Sequence, residues 1–299
     1  MRSTRAVLVG LSLLAALPVR AAQTPAALAP YEDLLEVLAV LAWHLDDDLY
    51  RFPAPKAPTG HDVFTLTLRR LAGWEQRFPG RLRDVVDFAR AQAFERSRAY
   101  EQARDAYGRV AAMSHSELAH LADAARLRAA DFARVDALPE RAVDLQEHLD
   151  ALHAKLDAWG EIGERYPDLP YAALARVEEE RLEVMAAELL ARNRHLVEDG
   201  PATTERALRF LVQKHGESQQ LATHVLRLGD FYAGDARRYA VVHERPLDFD
   251  ADDFRRRADL ALDIYQKVAT WDGSPARPEG RARFDALESF KIERLERYE

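Results

Sequence analysis

The chain has 299 residues, of which 42 are basic and 50 acidic, giving a net charge of -8 with its ten histidines counted as neutral, and it contains no cysteine. That absence excludes disulfides, a cysteine-linked lipid anchor and a thiolate metal site. The acidic balance excludes a surface that attracts nucleic acid or anionic lipid, while the length allows a large core in one or two domains.

The chain opens with MRSTR, continues in an apolar run from Ala6 to Val19, and then reads Arg20-Ala21-Ala22-Gln23. This charged, greasy and small-residue order predicts a secretory signal over residues 1–21, cleaved after Ala21 with Val19 and Ala21 as the small residues of the site. The 14 apolar-region residues fall short of the roughly 20 that span a bilayer, so no transmembrane segment is expected after cleavage. Losing Arg2, Arg5 and Arg20, and no acid, takes the net charge from -8 to -11. The expected product is a soluble, periplasmic chain.

Residues 22–58 read as an N-terminal helix followed by a proline-rich linker. The helix, Tyr31 to Tyr50, is apolar nearly all round at Leu34, Leu35, Val37, Leu38, Val40, Leu41 and Trp43. A helix of that kind is expected to be buried, either capping the rest of the fold or packing on another protein. "FPAPKAPTGHD" (52–62) then reads as an extended linker.

From residue 59 to 299 the chain is rich in Ala, Leu, Arg and Glu, with prolines placed only where a helical pattern has ended. Apolar residues recur at three- and four-residue steps, as at Val85, Phe88, Ala89, Ala91 and Phe94. The nearest approach to strand alternation, Tyr239 to Val242, is too short, so the fold class is all-α. Five segments align: "RLAGWEQRFP" (70–79), "AYGRVAAMSH" (106–115), "AWGEIGERYP" (158–167), "ALRFLVQKHG" (207–216) and "IYQKVATWDG" (264–273). The second column (Leu71, Tyr107, Trp159, Leu208, Tyr265) and the fifth (Trp74, Val110, Ile162, Leu211, Val268) share a helix face. Three segments end in a basic residue, an aromatic or histidine, and Pro or Gly: a charged last turn followed by a stop. Pro167 and Pro170 should end one unit, and Ala172, Ala173 and Ala175 should let the next helix pack closely.

"RDVVDFARAQAFERSRAYEQARDAYGRVA" resembles a tetratricopeptide repeat, with Ala91 and Phe94 on a first helix and Ala103 and Tyr107 on a second. "ALRFLVQKHGESQQLATHVLRLGDFY" is similar to repeat seams of periplasmic proteins that serve envelope machines, through Leu228-Gly229 and Tyr232. Ala261 and Tyr265 match a second helix if about 20 residues, around 235–250, are inserted between the two. The pattern departs at residues 131–157, where one long helix is expected, and at Lys155, which stands where alanine is usual. The resemblance implies a right-handed solenoid of antiparallel hairpins whose first helices line a concave, partner-binding face. Carried over, that face holds Phe88, Gln92, Glu95 and Arg96 in one unit and Thr223, Asp230, Gly234 and Arg237 in the last.

Asp248, Asp250, Asp252 and Asp259 fall at positions 1, 3, 5 and 12 of a calcium-type loop. Asp253 stands in place of the loop's glycine, however, and Asp259 in place of its terminal Glu. The same stretch is better read as a helix start capped by Asp250, with Asp253 at the reciprocal position and Phe249 stapled to Phe254. The pairs His115/His120 and His148/His153 are five apart and off a shared helix face, so histidine is read as surface rather than metal ligand. Nucleophile-elbow, phosphate-loop and dinucleotide signatures are absent. No cofactor is expected. The expected role is a non-enzymatic adaptor binding a protein or peptide partner in the cell envelope. A helical accessory domain or enzyme acting on envelope polymers, and a self-associating structural protein, are the alternatives.

Overall fold

The computed structural model describes residues 29–47, 63–168 and 170–298. The signal segment and the proline-rich linker lie outside these residues. Eleven helices and no strand are found among the described residues: α1 (Ala29–Asp47), α2 (Val63–Arg77), α3 (Arg83–Arg96), α4 (Tyr100–Ala111), α5 (Ala119–Asp136), α6 (Leu145–Arg165), α7 (Tyr171–Asn193), α8 (Gly200–Lys214), α9 (Leu221–Val242), α10 (Ala251–Ala269) and α11 (Arg277–Glu296). Pro30, Pro201 and Pro278 sit in the first turns of α1, α8 and α11. The missing N–H costs nothing there, because those donors have no intrahelical acceptor.

The aligned segments lie on α2, α4, α6, α8 and α10, every second helix. All ten residues of their second and fifth columns are buried, none more than 3% exposed. Each even-numbered helix therefore presents the same two knobs to a core. The three charged stops are also clasps. Arg77, Arg165 and Lys214 are the last residues of α2, α6 and α8. Each reaches back to a carboxylate on the preceding odd-numbered helix: Arg77 to Asp33 at 2.8 Å, Arg165 to Asp131 at 2.8 Å and Lys214 to Glu183 at 2.5 Å. In two cases the next residue joins the same carboxylate, the Tyr166 hydroxyl donating to Asp131 at 2.6 Å and His215 Nε2 meeting Glu183 at 2.6 Å.

The chain divides into two compact units, Met1–Glu179 and Glu180–Glu299. In the first, α1 lays Leu34, Val37 and Leu41 against Phe64, Leu71 and Trp74 of α2 and Val86, Ala89 and Ala93 of α3. Unlike the all-round burial expected of it, α1 keeps a free face: Leu35 is 42% and Trp43 63% exposed. Small residues Ala91, Ala103, Ala106, Ala122, Ala125 and Ala129 bring α3, α4 and α5 together around Tyr107 and Val110. Phe132 then gathers Tyr100, Trp159, Tyr166 and Tyr171, with ring centroids 5.3 to 5.9 Å away. The seam at Tyr166 to Pro170 ends α6 and starts α7 as the prolines require. Ala175 is fully buried, and a Cβ on Gly163 would come within 3.3 Å of its Cβ.

One expectation is overturned. Residues 131–157 are not one helix: α5 stops at Asp136 and α6 starts at Leu145. Pro139 cannot continue a helix, and the Asp144 carboxylate caps the next one by accepting from the backbone N–H groups of Gln146 and Glu147. The departure at Lys155 has its reason here. Its buried ammonium donates to the Asp136 and Leu138 carbonyls at 2.8 and 3.0 Å and pairs with Glu140 at 2.9 Å, closing the end of α5.

In the second unit Leu208, Leu211, Leu226, Leu228, Tyr232, Ala261, Leu262, Tyr265, Val268 and Leu287 form one core. Gly229 permits a close helix approach: a Cβ there would meet the Tyr265 ring at 2.6 Å. The inserted stretch around 235–250 is helix in its first half, since α9 runs unbroken to Val242, and Tyr239 to Val242 belong to it rather than to a strand.

Candidate functional site

The residues expected to line a binding face fall into two groups. In the first unit Phe88 is half-buried and packs edge-on against Tyr107, with centroids 5.5 Å apart. Gln92 is half-buried. Glu95 is buried and fully engaged: the Tyr107 hydroxyl donates to it at 2.8 Å, Arg128 Nε at 2.7 Å and Arg128 Nη2 at 3.1 Å. Arg96 is buried beneath α1, Nη2 donating to the Leu45 carbonyl at 3.4 Å.

These contacts make a polar rung across α3, α5 and α7, for Arg128 also lies 4.3 Å from the Tyr171 ring centroid. Burial acts to strip the Arg128 proton, yet the Glu95 carboxylate outweighs it and holds that guanidinium above its ordinary pKa. Burial and the same carboxylate push the Tyr107 phenol well up. Arg98, in a left-handed backbone turn at φ 60° after α3, reaches Glu178 of α7 at 2.6 Å. The chemistry of Glu95 and Arg96 is directed inward, into holding helices together.

In the second unit the corresponding residues face water. Thr223, Asp230 and Arg237 are exposed and follow one another at seven-residue steps on α9, a single stripe. Gly234 lies beside it, a Cβ there coming within 4.0 Å of Arg194 Nη2. The opposite side of the same helix buries His224, Leu226, Leu228, Gly229, Tyr232, Ala233, Ala236 and Ala240. The stripe has a second wall, α11. Asp230 pairs with Arg283 at 2.9 Å and accepts from the Tyr265 hydroxyl at 2.7 Å, while Arg237 lies over Phe290, 6.0 Å from its centroid. Both cross-helix pairs have the same offset in sequence, so α9 and α11 run parallel here. Sequence reasoning missed Arg283 and Phe290; their own seven-residue step, matching that of Asp230 and Arg237, is the signal that finds them.

Not all histidines lie at the surface, a further correction. His224 is 1% exposed, its Nε2 2.6 Å from Glu180 Oε1. Arg227 Nη1 lies 3.2 Å from its Nδ1; a guanidinium only donates, so Nδ1 accepts and Nε2 carries the proton. Ser218 Oγ also donates to Glu180 at 2.6 Å. With the Lys214–Glu183–His215 clasp alongside, this cluster joins α7 to the α8–α9 turn. Among the described residues no group of three or more acidic or histidine side chains is placed to hold a metal ion.

The calcium-type loop resolves into a helix start. Asp250 accepts from the N–H groups of Asp252 and Asp253 at 2.9 and 3.0 Å, and the Phe249 and Phe254 rings sit 5.3 Å apart as the staple. Asp253 does not reach back to Asp250; it binds Arg256 and Arg257 at 2.8 and 3.0 Å, and those bonds hold its carboxyl below the usual range. Asp252 pairs with Arg255 at 2.8 Å, and Asp259 pairs with Lys291 across to α11. Asp252, Asp253 and Asp259 go to separate cations and Asp250 to backbone N–H groups, so these carboxylates do not converge. Compared with protein-family models and with curated proteins, the chain matches none of either.

Proposed function

We propose that this chain is an exported, non-enzymatic interaction scaffold of the bacterial cell envelope, built as a right-handed solenoid of tetratricopeptide-like hairpins. It binds a peptide or helix of a protein partner along the odd-numbered helices. One observation carries the reading: α9 divides into a side that supplies the core of its unit and a side that leaves Thr223, Asp230 and Arg237 in an exposed row walled by α11. A stripe of mixed charge beside an aromatic ring is what a docked helix or extended peptide uses, since charge sets its register and the ring supplies apolar contact. The alternation of motif-bearing and intervening helices supports the repeat architecture, in which stacking buries the core between neighbours and leaves one face free. The charged and apolar opening of the chain supports export.

The test is a photo-reactive amino acid placed at Thr223, with exposed Gln213 on α8 as the control position. A discrete protein adduct formed from Thr223 and not from Gln213 is the expected result. Adducts only with envelope glycan would overturn the scaffold reading in favour of an accessory role on envelope polymers.

A further inference from the structure

Along the column shared by α9 and α11, charge is balanced at one level and left open at the next. At the first level Asp230 meets Arg283 at 2.9 Å. Seven residues on in both helices, where a second ion pair would fall, Arg237 meets Phe290 instead of an acid. One turn beyond Phe290, Arg294 approaches the same ring, 5.4 Å from its centroid. Neither arginine holds a carboxylate among the described residues, and Nε and Nη1 of Arg294 are shut from water with no acceptor. Buried guanidinium N–H groups without an acceptor are costly, and a protein of net charge -8 has acids to spare for its arginines.

At another arginine-rich place the chain uses them. The shallow depression lined by Arg104, Asp105, Gly108, Arg109, Ala112 and Arg126 is as rich in arginine, yet each of its guanidiniums already holds an acid: Asp105 at 3.0 Å, Asp87 at 3.1 Å and Asp123 at 2.8 Å respectively. The open level on α9 and α11 is therefore a place where an anion from outside completes a pattern. Arg237, exposed and resting on an aromatic face, keeps its N–H edge free for a carboxylate, which accepts two parallel hydrogen bonds from it, while Arg294, closed to water at Nε and Nη1, adds positive charge behind the ring. Val241, one turn beyond Arg237 on α9 and 64% exposed, adds an apolar contact that suits a peptide better than a glycan.

We propose that Arg237, backed by the charge of Arg294 on the ring they share, receives a carboxylate side chain from an acidic partner peptide lying along the α9–α11 column. The proposal rests on the scaffold reading and specifies its partner. The probe is a fluorescein-labelled twelve-residue peptide alternating Glu and Leu, titrated with the purified chain by fluorescence anisotropy, with the Gln-for-Glu peptide as control. The acidic peptide is expected to bind and the Gln peptide to bind at least tenfold more weakly. Arg237→Ala and Arg294→Ala should each weaken binding about fivefold, as loss of one charge pair of roughly 1 kcal/mol does. Arg281→Ala, which removes an exposed arginine paired with Asp285, should leave binding unchanged. Arg237 is exposed and Arg294 is partly buried, so the Arg237 variant folds even if Arg294→Ala does not. Equal binding of both peptides, indifference to Arg237→Ala, or displacement by inorganic phosphate as readily as by free acidic peptide would each overturn the assignment. If the acidic peptide fails while Thr223 still traps a protein, only the partner chemistry is wrong; if both fail, the scaffold reading falls with it.

Discussion

Asp131 and Glu183 perform one task in two places: each takes both members of a basic-then-aromatic pair that closes the helix after it. For Asp131 the consequence can be read in protons. Burial acts to raise its pKa, but the hydrogen bonds from Tyr166 and Arg165 win and hold it below the ordinary carboxylate value. A folded-state pKa below the unfolded one means stability that is present above the ordinary value of 3.8 and lost as pH falls through the lowered folded one. Asp131→Asn should therefore unfold at lower urea than the parent near pH 7, with the gap closing as pH drops below 3.8. The alkaline side has the opposite sign. Burial and the Asp131 carboxylate push the Tyr166 phenol up to about 12, so its share of stability is complete below pH 10 and fades as pH rises toward 12. Urea midpoints followed by tryptophan fluorescence from pH 7 downward check the acid limb; a gap that stays constant with pH would show that Asp131 acts by packing alone.

At the scale of the element, α10 shows how a local pattern settles a choice that composition leaves open. The four aspartates of the calcium-type pattern, Asp248, Asp250, Asp252 and Asp259, suit a cation only if they converge, and three of them turn to different partners: Asp250 to the first turn's own N–H groups, Asp252 to Arg255 and Asp259 to Lys291. Asp250→Ala should cost about 1 kcal/mol through loss of the cap, measured by urea denaturation, and millimolar calcium should leave the parent's melting temperature unmoved. A calcium-induced rise that Asp250→Ala abolishes would restore the loop reading. The cap, the staple and the knobs at Leu71, Trp159 and Tyr265 were legible beforehand because each depends on neighbours within about one turn. Pairs such as Glu95 with Arg128 or Glu180 with His224 depend on which helix lies across, and nothing within a turn of either residue encodes that. Lys155 looked like a departure from a repeat for the same reason. Its acceptors are carbonyls at the end of α5, and α5 ends there because Pro139 outweighs the helix-forming residues around it. The stripe on α9 was read from the repeat resemblance, and its seven-residue step agrees with it, whereas its wall on α11 needed the parallel packing of the two helices.

Across the whole molecule, helices pack chiefly on their neighbours in sequence: α2 on α3, α3 on α4, α4 on α5, α9 on α10, α10 on α11, with α1–α3 and α9–α11 among the few that skip one. Local connectivity of this kind makes stability a sum over neighbours, so damage spreads only as far as shared core. Leu208 is 3% exposed and belongs to the core formed by α8, α9, α10 and α11. Truncating it to alanine should cost about 2 to 5 kcal/mol there, from lost burial and the cavity left behind. Hydrogen exchange resolves where that loss is felt. Amides of α8, α9 and α10 should exchange at least tenfold faster in Leu208→Ala, while those of α2, α3 and α4, whose core is built from Leu71, Trp74, Ala89 and Tyr107, keep their protection. Equal acceleration in both sets would mean that the chain opens as one cooperative body, and the neighbour-by-neighbour account of its stability would have to be abandoned. Local loss alone would agree with a fold that can leave the outer stripe of α9 free for a partner, because that helix is held from its other side by the core Leu208 belongs to.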